Sequence, residues 1–172
     1  FAKVVSAEVT KVVRERIPFP MAFGLAQSDI DAIVQRACEQ GLADLHAYAE
    51  RDPAAYRNAE FVAHTYNGFY AVLYHRIAHS LWTYGAERRQ TPASNPTVDP
   101  LYAQVRAISE HAKALTGIEI HPSAQIGVPF VVDHGAGTVI GETTRIGRFC
   151  YLLQAVVLGA RHVADGGGGQ RH

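Results

Sequence analysis

The chain has 172 residues, 16 Lys+Arg against 16 Asp+Glu, and 48% hydrophobic residues, enough to bury the core of one ordinary domain or two small ones. A formal charge of zero argues against a nucleic-acid binder that works through bulk charge, and no apolar stretch approaches the roughly 20 residues of a membrane-spanning helix. The two cysteines, Cys38 and Cys150, form neither a disulfide framework nor a four-ligand zinc pattern, so a reducing, cytoplasmic location is expected.

The first two thirds of the chain predict helices. Residues 2–16 place Val5, Val9, Val12, Val13 and Ile17 at helical spacing, and Pro18 and Pro20 stop the segment. Ser28 is a candidate N-cap, with Asp29 and Asp31 in the first turn. Ile30, Ile33, Val34, Ala37 and Cys38 then form one apolar stripe up to Gly41, and residues 42–51 predict a second short helix closed by Asp52-Pro53. A longer helix is expected over residues 59–82, with Asn67-Gly68 as a candidate break. Residues 88–100 hold three prolines and predict a loop. Asp99 and Pro100 suit the N-cap and first position of a last helix that Gly117 closes.

Glycine then becomes dense: residues 1–117 hold five and residues 118–172 hold ten. From Ile118 the chain reads in hexads, IEIHPS, AQIGVP, FVVDHG, AGTVIG, ETTRIG, RFCYLL, QAVVLG. In this frame the fifth column is Pro122, Val128, His134, Ile140, Ile146, Leu152 and Leu158. A column of large aliphatics recurring every six residues suits a triangular coil of short parallel strands, in which the column points inward and stacks from one coil to the next. The expected architecture is therefore α+β: an α-helical N-terminal domain, residues 1–116, followed by a left-handed parallel β-helix, residues 117–172.

His134 interrupts the apolar column, and Asp133-His134 lies in Asp-His-Gly-Ala-Gly, where glycines let a ligand approach the backbone. Glu119 lies 15 residues earlier, close to one turn of a coil built from three hexads. That spacing is expected to bring its carboxylate near the His134 ring, an arrangement that fixes a tautomer and stabilises an imidazolium. His75 and His79 are four apart on the long helix but lack Glu or Cys partners in a metal-binding pattern, and read as packing or surface residues. Tyr66, Tyr70 and Tyr74 read as helix packing or a subunit contact. No metal is expected.

The stretch from Gly117-Ile-Glu-Ile-His-Pro through Asp133-His-Gly-Ala-Gly-Thr-Val-Ile-Gly-Glu-Thr resembles the serine O-acetyltransferases, hexapeptide acyltransferases that make O-acetylserine for cysteine synthesis. Arg51-Asp52-Pro53-Ala54 and the run from Gly68 to Trp82 resemble signatures of the same family's helical domain. The resemblance implies acetyl transfer from acetyl-CoA to L-serine. His134 would be the general base, Glu119 its carboxylate partner, Asp52 and Asp133 the acids that hold the amino acid, and Arg171 and His172 the contacts to its carboxylate. The resemblance further implies a trimer or dimer of trimers, feedback inhibition by cysteine, and O-acetylserine sulfhydrylase as a partner bound through a C-terminal tail not seen in this sequence. Seven hexads give only about two and a third coils, so the chain is expected to stop inside its β-helix.

The chemistry required agrees with these residue types. A serine hydroxyl needs a base of pKa near 6–7 to attack a thioester, worth ~10²–10⁴ in rate, and histidine supplies one. A zwitterion needs acids for its ammonium and a cation for its carboxylate. The rival readings are the same coil acetylating another hydroxyl, a metal-dependent lyase on a similar coil, and a non-catalytic homologue. Against the first, the helical signatures and Arg171-His172 speak for an amino-acid acceptor; the second lacks a spaced His trio in the repeats and does not account for the long helical domain; the third is disfavoured by the presence of Glu119, Asp133 and His134 together.

Overall fold

The computed structural model describes residues 1–88 and 99–159. Helices occupy the chain up to Thr116: α1 (Ala2–Arg16), α2 (Gln27–Arg51), α3 (Ala59–Thr65), α4 (Asn67–Arg88) and α5 (Pro100–Thr116), with short 3-10 turns at Pro20–Phe23 and Pro53–Ala55. Short strands follow: β1 (Glu119–Ile120), β2 (Gln125–Ile126), β3 (Phe130–Val132), β4 (Val139–Ile140), β5 (Arg145–Ile146), β6 (Cys150–Leu152) and β7 (Val157–Leu158). No helix among the described residues is long and apolar enough to cross a membrane.

The valine spacing of α1 produces the expected buried face, Val5, Val9, Val12 and Val13. The two helices expected over residues 28–51 are instead one helix of 25 residues that begins after Ala26, whose N–H donates to the Asp29 carboxylate at 2.7 Å. Gly41 does not end it, because it serves packing: a Cβ there would lie 2.5 Å from Leu73 Cδ1 on α4 and 3.4 Å from Val5 Cγ1 on α1. Close approach of three helices outweighs the ~1 kcal/mol that a mid-helix glycine costs. The helix expected over 59–82 does break beside Asn67-Gly68, at Tyr66, whose backbone is extended, and its second half then runs on to Arg88. The last helix is capped as expected, with the Asp99 carboxylate accepting from Leu101 N at 2.9 Å, Pro100 in the first turn and Gly117 at φ +71°. Of the loop expected over 88–100, residues 89–98 lie outside the described residues.

The strands pass through three small parallel sheets in rotation, ordered β1-β4-β7, β2-β5 and β3-β6. Ile120 stacks on Ile140 and Ile140 on Leu158, Ile126 on Ile146, and Val132 on Leu152. The inward residue is thus the third of each hexad up to Val132 and the fifth from Ile140 onward. The reason is a corner that is two residues longer than the others: partners across it are 20 positions apart (Glu119 with Val139), whereas β4 and β7 pair at 18 (Val139 with Val157). His134 lies in this longer corner and is not a member of the inward column.

Helices and strands share an interface built from buried polar groups. Arg76 of α4 donates to Asp44 of α2 at 2.8 and 3.2 Å, and to the carbonyls of Ile126 and Gly127 at 2.6 and 3.0 Å. Asp44 also accepts from Phe130 N at 2.8 Å. Burial pushes the Asp44 carboxyl above its ordinary value, and the bonds from Arg76 pull it back. Gly68, in the first turn of α4, approaches so closely that a Cβ would meet the Val132 carbonyl oxygen at 2.0 Å.

Candidate active site

Asp52 is set by the end of α2. Pro53 begins a 3-10 turn, and the Asp52 carboxylate caps it, Oδ1 accepting from Ala54 N at 2.8 Å. Its other oxygen accepts from the Tyr66 hydroxyl at 2.6 Å. Tyr66 can reach it because it occupies the break between α3 and α4. Partial burial, then the bond to Asp52, pushes the Tyr66 phenol up to about 12, so it remains a donor at neutral pH.

Asp133 and His134 are set by the end of β3 (Phe130–Val132). The buried Tyr48 hydroxyl of α2 fixes that end by donating to the Val132 carbonyl at 3.0 Å and accepting from Val132 N at 2.8 Å. Asp133 Oδ1 then accepts from His134 N at 2.8 Å, and Oδ2 from the hydroxyl of Tyr151, on β6 (Cys150–Leu152), at 2.7 Å. His134 has φ +56°, a left-handed conformation that costs a non-glycine residue of order 1 kcal/mol and that clusters at functional turns. Gly135 follows at φ +67°, where a Cβ would also strike Ile118 Cδ1 at 2.4 Å. The outcome is a histidine ring held out from the wall, 74% exposed, making no hydrogen bond among the described residues.

Asp52, Tyr66, Asn67, Asp133 and His134 line one cavity of about 360 Å³. No lysine or arginine among the described residues lines it. Each carboxylate oxygen in it has one donor already and a second lone pair to offer, so the cavity presents two fixed anions and an available imidazole. That suits an ammonium group that carries, a few bonds away, a proton to be removed. A larger cavity of about 930 Å³, between the start of α1 and the α2–α3 connection, contains none of the expected site residues.

Three of the six expected site residues, Asp52, Asp133 and His134, therefore meet. Glu119 makes no bond to His134 among the described residues: its carboxylate takes the ammonium of Lys113, in the last turn of α5, at 2.5 Å. Glu119 pairs in register with Val139, 20 positions on, across the corner that holds His134. Arg171 and His172 lie outside the described residues. Reasoning from the sequence missed Tyr48, Tyr151 and the role of Tyr66. For Tyr66 a signal existed, since the Asn67-Gly68 break takes it out of the helical stripe; Tyr74 remains in that stripe, donating to Glu8 at 2.9 Å. His75 and His79 are confirmed as packing residues, the first fully buried and the second bonded to the Pro122 carbonyl at 2.7 Å. No group of three metal-binding side chains occurs among the described residues.

No protein-family model matches the chain. The chain is 41% identical over 117 residues to serine acetyltransferase of Synechococcus elongatus, covering 68% of this chain and 41% of that protein. It is 39% identical over 129 residues to serine acetyltransferase of Mycobacterium tuberculosis, covering 75% and 48%. Among solved structures it superposes on soybean serine acetyltransferase complexed with serine (TM-score 0.63, 29% identity, 79% of this chain and 51% of that one). It also superposes on a serine acetyltransferase in complex with CoA (TM-score 0.62, 26%, 77% and 50%), and on isoform 3 from Entamoeba histolytica in complex with cysteine (TM-score 0.65, 29%, 88% and 50%). The matches thus span about half the length of these relatives. In sequence and in fold, over the half of those proteins that it spans, the chain is a homologue of the serine acetyltransferases.

Proposed function

We propose that this chain carries the acceptor site of an acetyl-CoA-dependent serine O-acetyltransferase. The observation that carries the reading is the convergence of Asp52, Asp133 and His134, from helical and stranded segments 81 positions apart, on one cavity that no lysine or arginine among the described residues lines. Solved structures of serine acetyltransferases in complex with serine and with CoA support the choice of substrates.

In the proposed reaction the substrate ammonium sits between Asp52 and Asp133, and the hydroxyl faces the His134 ring. The ring takes the hydroxyl proton as the oxygen attacks the thioester carbonyl carbon. The new C–O bond forms, the C–S bond breaks, and the imidazolium returns its proton to the departing CoA thiolate. Direct transfer needs no acyl-enzyme. Glu119 is assigned the counter-charge to the imidazolium, which requires its carboxylate to exchange Lys113 for the ring. Arg171 and His172 are assigned to the substrate carboxylate. The proposal also includes the left-handed β-helix, the division at residues 116–117, trimers paired through the helical part, docking of O-acetylserine sulfhydrylase, and cysteine as an inhibitor in the serine site, the last supported by the relative bound to cysteine.

The test is acetylation of L-serine, homoserine and a panel of sugars by the intact protein, read as release of CoA thiol. Serine is expected to be the substrate, and His134→Ala to lower the rate ~10²–10⁴-fold. Turnover of sugars without turnover of serine, or an unimpaired His134→Ala variant, overturns the proposal.

A further inference from the structure

The carboxylate of Asp133 has two neighbours competing for one oxygen. Oδ2 accepts from the Tyr151 hydroxyl at 2.7 Å and lies 3.8 Å from His134 Nε2, just beyond hydrogen-bond reach. Oδ1 is committed to the adjacent backbone N–H of His134, so the Tyr151 bond decides how the carboxylate is turned. Tyr151 is itself held from the helical side. The Arg51 guanidinium, one residue before Asp52, lies 5.5 Å from the centre of its ring and donates to the Phe149 carbonyl at 2.7 Å.

We infer that Tyr151 is a positioning residue for Asp133, keeping its carboxylate turned to the cavity and off the His134 ring. The inference rests on the serine-binding reading of that cavity. Without the hydroxyl, Oδ2 is free to close the short gap to Nε2. That closure would cover the nitrogen needed to accept a proton and withdraw one of two charges meant for the ammonium. The other titratable groups facing this pair are Asp52, Tyr66 and Tyr48 from the helical segments, with Arg51 behind Tyr151. Among the described residues, Tyr151 is the only side chain that donates to the Asp133 carboxylate. Tyr66 performs the same task for Asp52 from the opposite wall, so each acid in the cavity is aimed by a phenol.

Tyr151→Phe in the intact protein removes the hydroxyl and keeps the ring under Arg51. Steady-state kinetics across pH are measured with L-serine and acetyl-CoA. The expected result is a KM for serine raised about tenfold, the lower end of what a lost bond to a charged group gives, with the KM for acetyl-CoA unchanged. The acid limb of kcat/KM is expected to move to higher pH, because the freed carboxylate pairs with the protonated ring. In an Asp133→Asn background the same substitution is expected to change neither quantity. A Tyr151→Phe variant that melts lower but keeps the wild-type serine KM and pH limb overturns the inference and leaves serine acetylation standing. A wild-type protein that acetylates no serine overturns the reading beneath both.

Discussion

Asp44 and Arg76 form an ion pair that neither side chain shares with solvent, 0% and 2% exposed, and the same two side chains satisfy the backbone at Ile126, Gly127 and Phe130. Removing one partner of a buried pair typically costs ~3–5 kcal/mol because the other charge is left uncompensated. Arg76→Met and Asp44→Asn are each expected to destabilise by that order in denaturant unfolding. Replacing both with apolar residues often restores stability at such sites, but here two carbonyls and an N–H would be stranded as well. The double variant Asp44→Leu/Arg76→Met is therefore expected to remain destabilised, and a recovery to wild-type stability would show that the backbone bonds contribute little.

Tyr48 holds both the N–H and the carbonyl of Val132, directly before Asp133. Tyr48→Phe leaves two buried backbone groups without that partner, at about 1–3 kcal/mol. Unfolding should report this loss, and hydrogen exchange at the Val132 amide should accelerate more than at Val139, which is bonded to Val156. Equal acceleration at the two amides would mean the effect is global.

Gly68→Ala tests how tightly α4 abuts the strands. The added methyl would meet a backbone oxygen rather than a flexible side chain, so the helix start or β3 must move. A loss of stability beyond the usual ~1 kcal/mol gain from Gly to Ala within a helix is expected, together with a raised serine KM as the cavity deforms. A variant as stable as the parent would show that this junction yields easily.

Three buried or half-buried histidines predict the response to acid. His75, His79 and His121 are all shifted below the ordinary histidine value, chiefly by burial, and His121 is down to about 4. An unfolded histidine titrates near 6.5, so between that pH and the folded values the unfolded chain binds more protons. The histidines' contribution to stability should therefore be constant well above pH 6.5 and fall as the pH drops below it, by at most ~1.4 kcal/mol per pH unit for each group. Neither ring nitrogen of His75 has a hydrogen-bond partner among the described residues, so His75→Leu forfeits none of the bonds described and should flatten the slope. An unaltered slope in that variant would remove His75 from the account.

What was legible in the sequence follows physical range. The caps of α5 and the valine face of α1 are local, and both were readable from spacing. The identity of Asp52, Asp133 and His134 came through motifs, and the fold brings them to one cavity. Gly41 misled because its reason is a side chain on another helix, Leu73. Tyr48 and Tyr151 were invisible because their hydroxyls find partners 84 and 18 positions away, and no periodicity encodes a phenol meeting a backbone or an acid. The Glu119 bond to Lys113 lies outside what counting along an ideal repeat can show, because it joins a strand to the last turn of a helix.

The longer corner that holds His134 changes how such sequences are indexed. A reader who holds one hexad frame across residues 118–158 finds His134 sitting among the aliphatics, whereas two frames, offset by two, put an aliphatic at every inward position from Ile120 to Leu158. The slip of phase is itself the marker. In a repeat that otherwise keeps time, the place where the beat is delayed by two residues is where the chain has left the wall, and so where a side chain is free for chemistry.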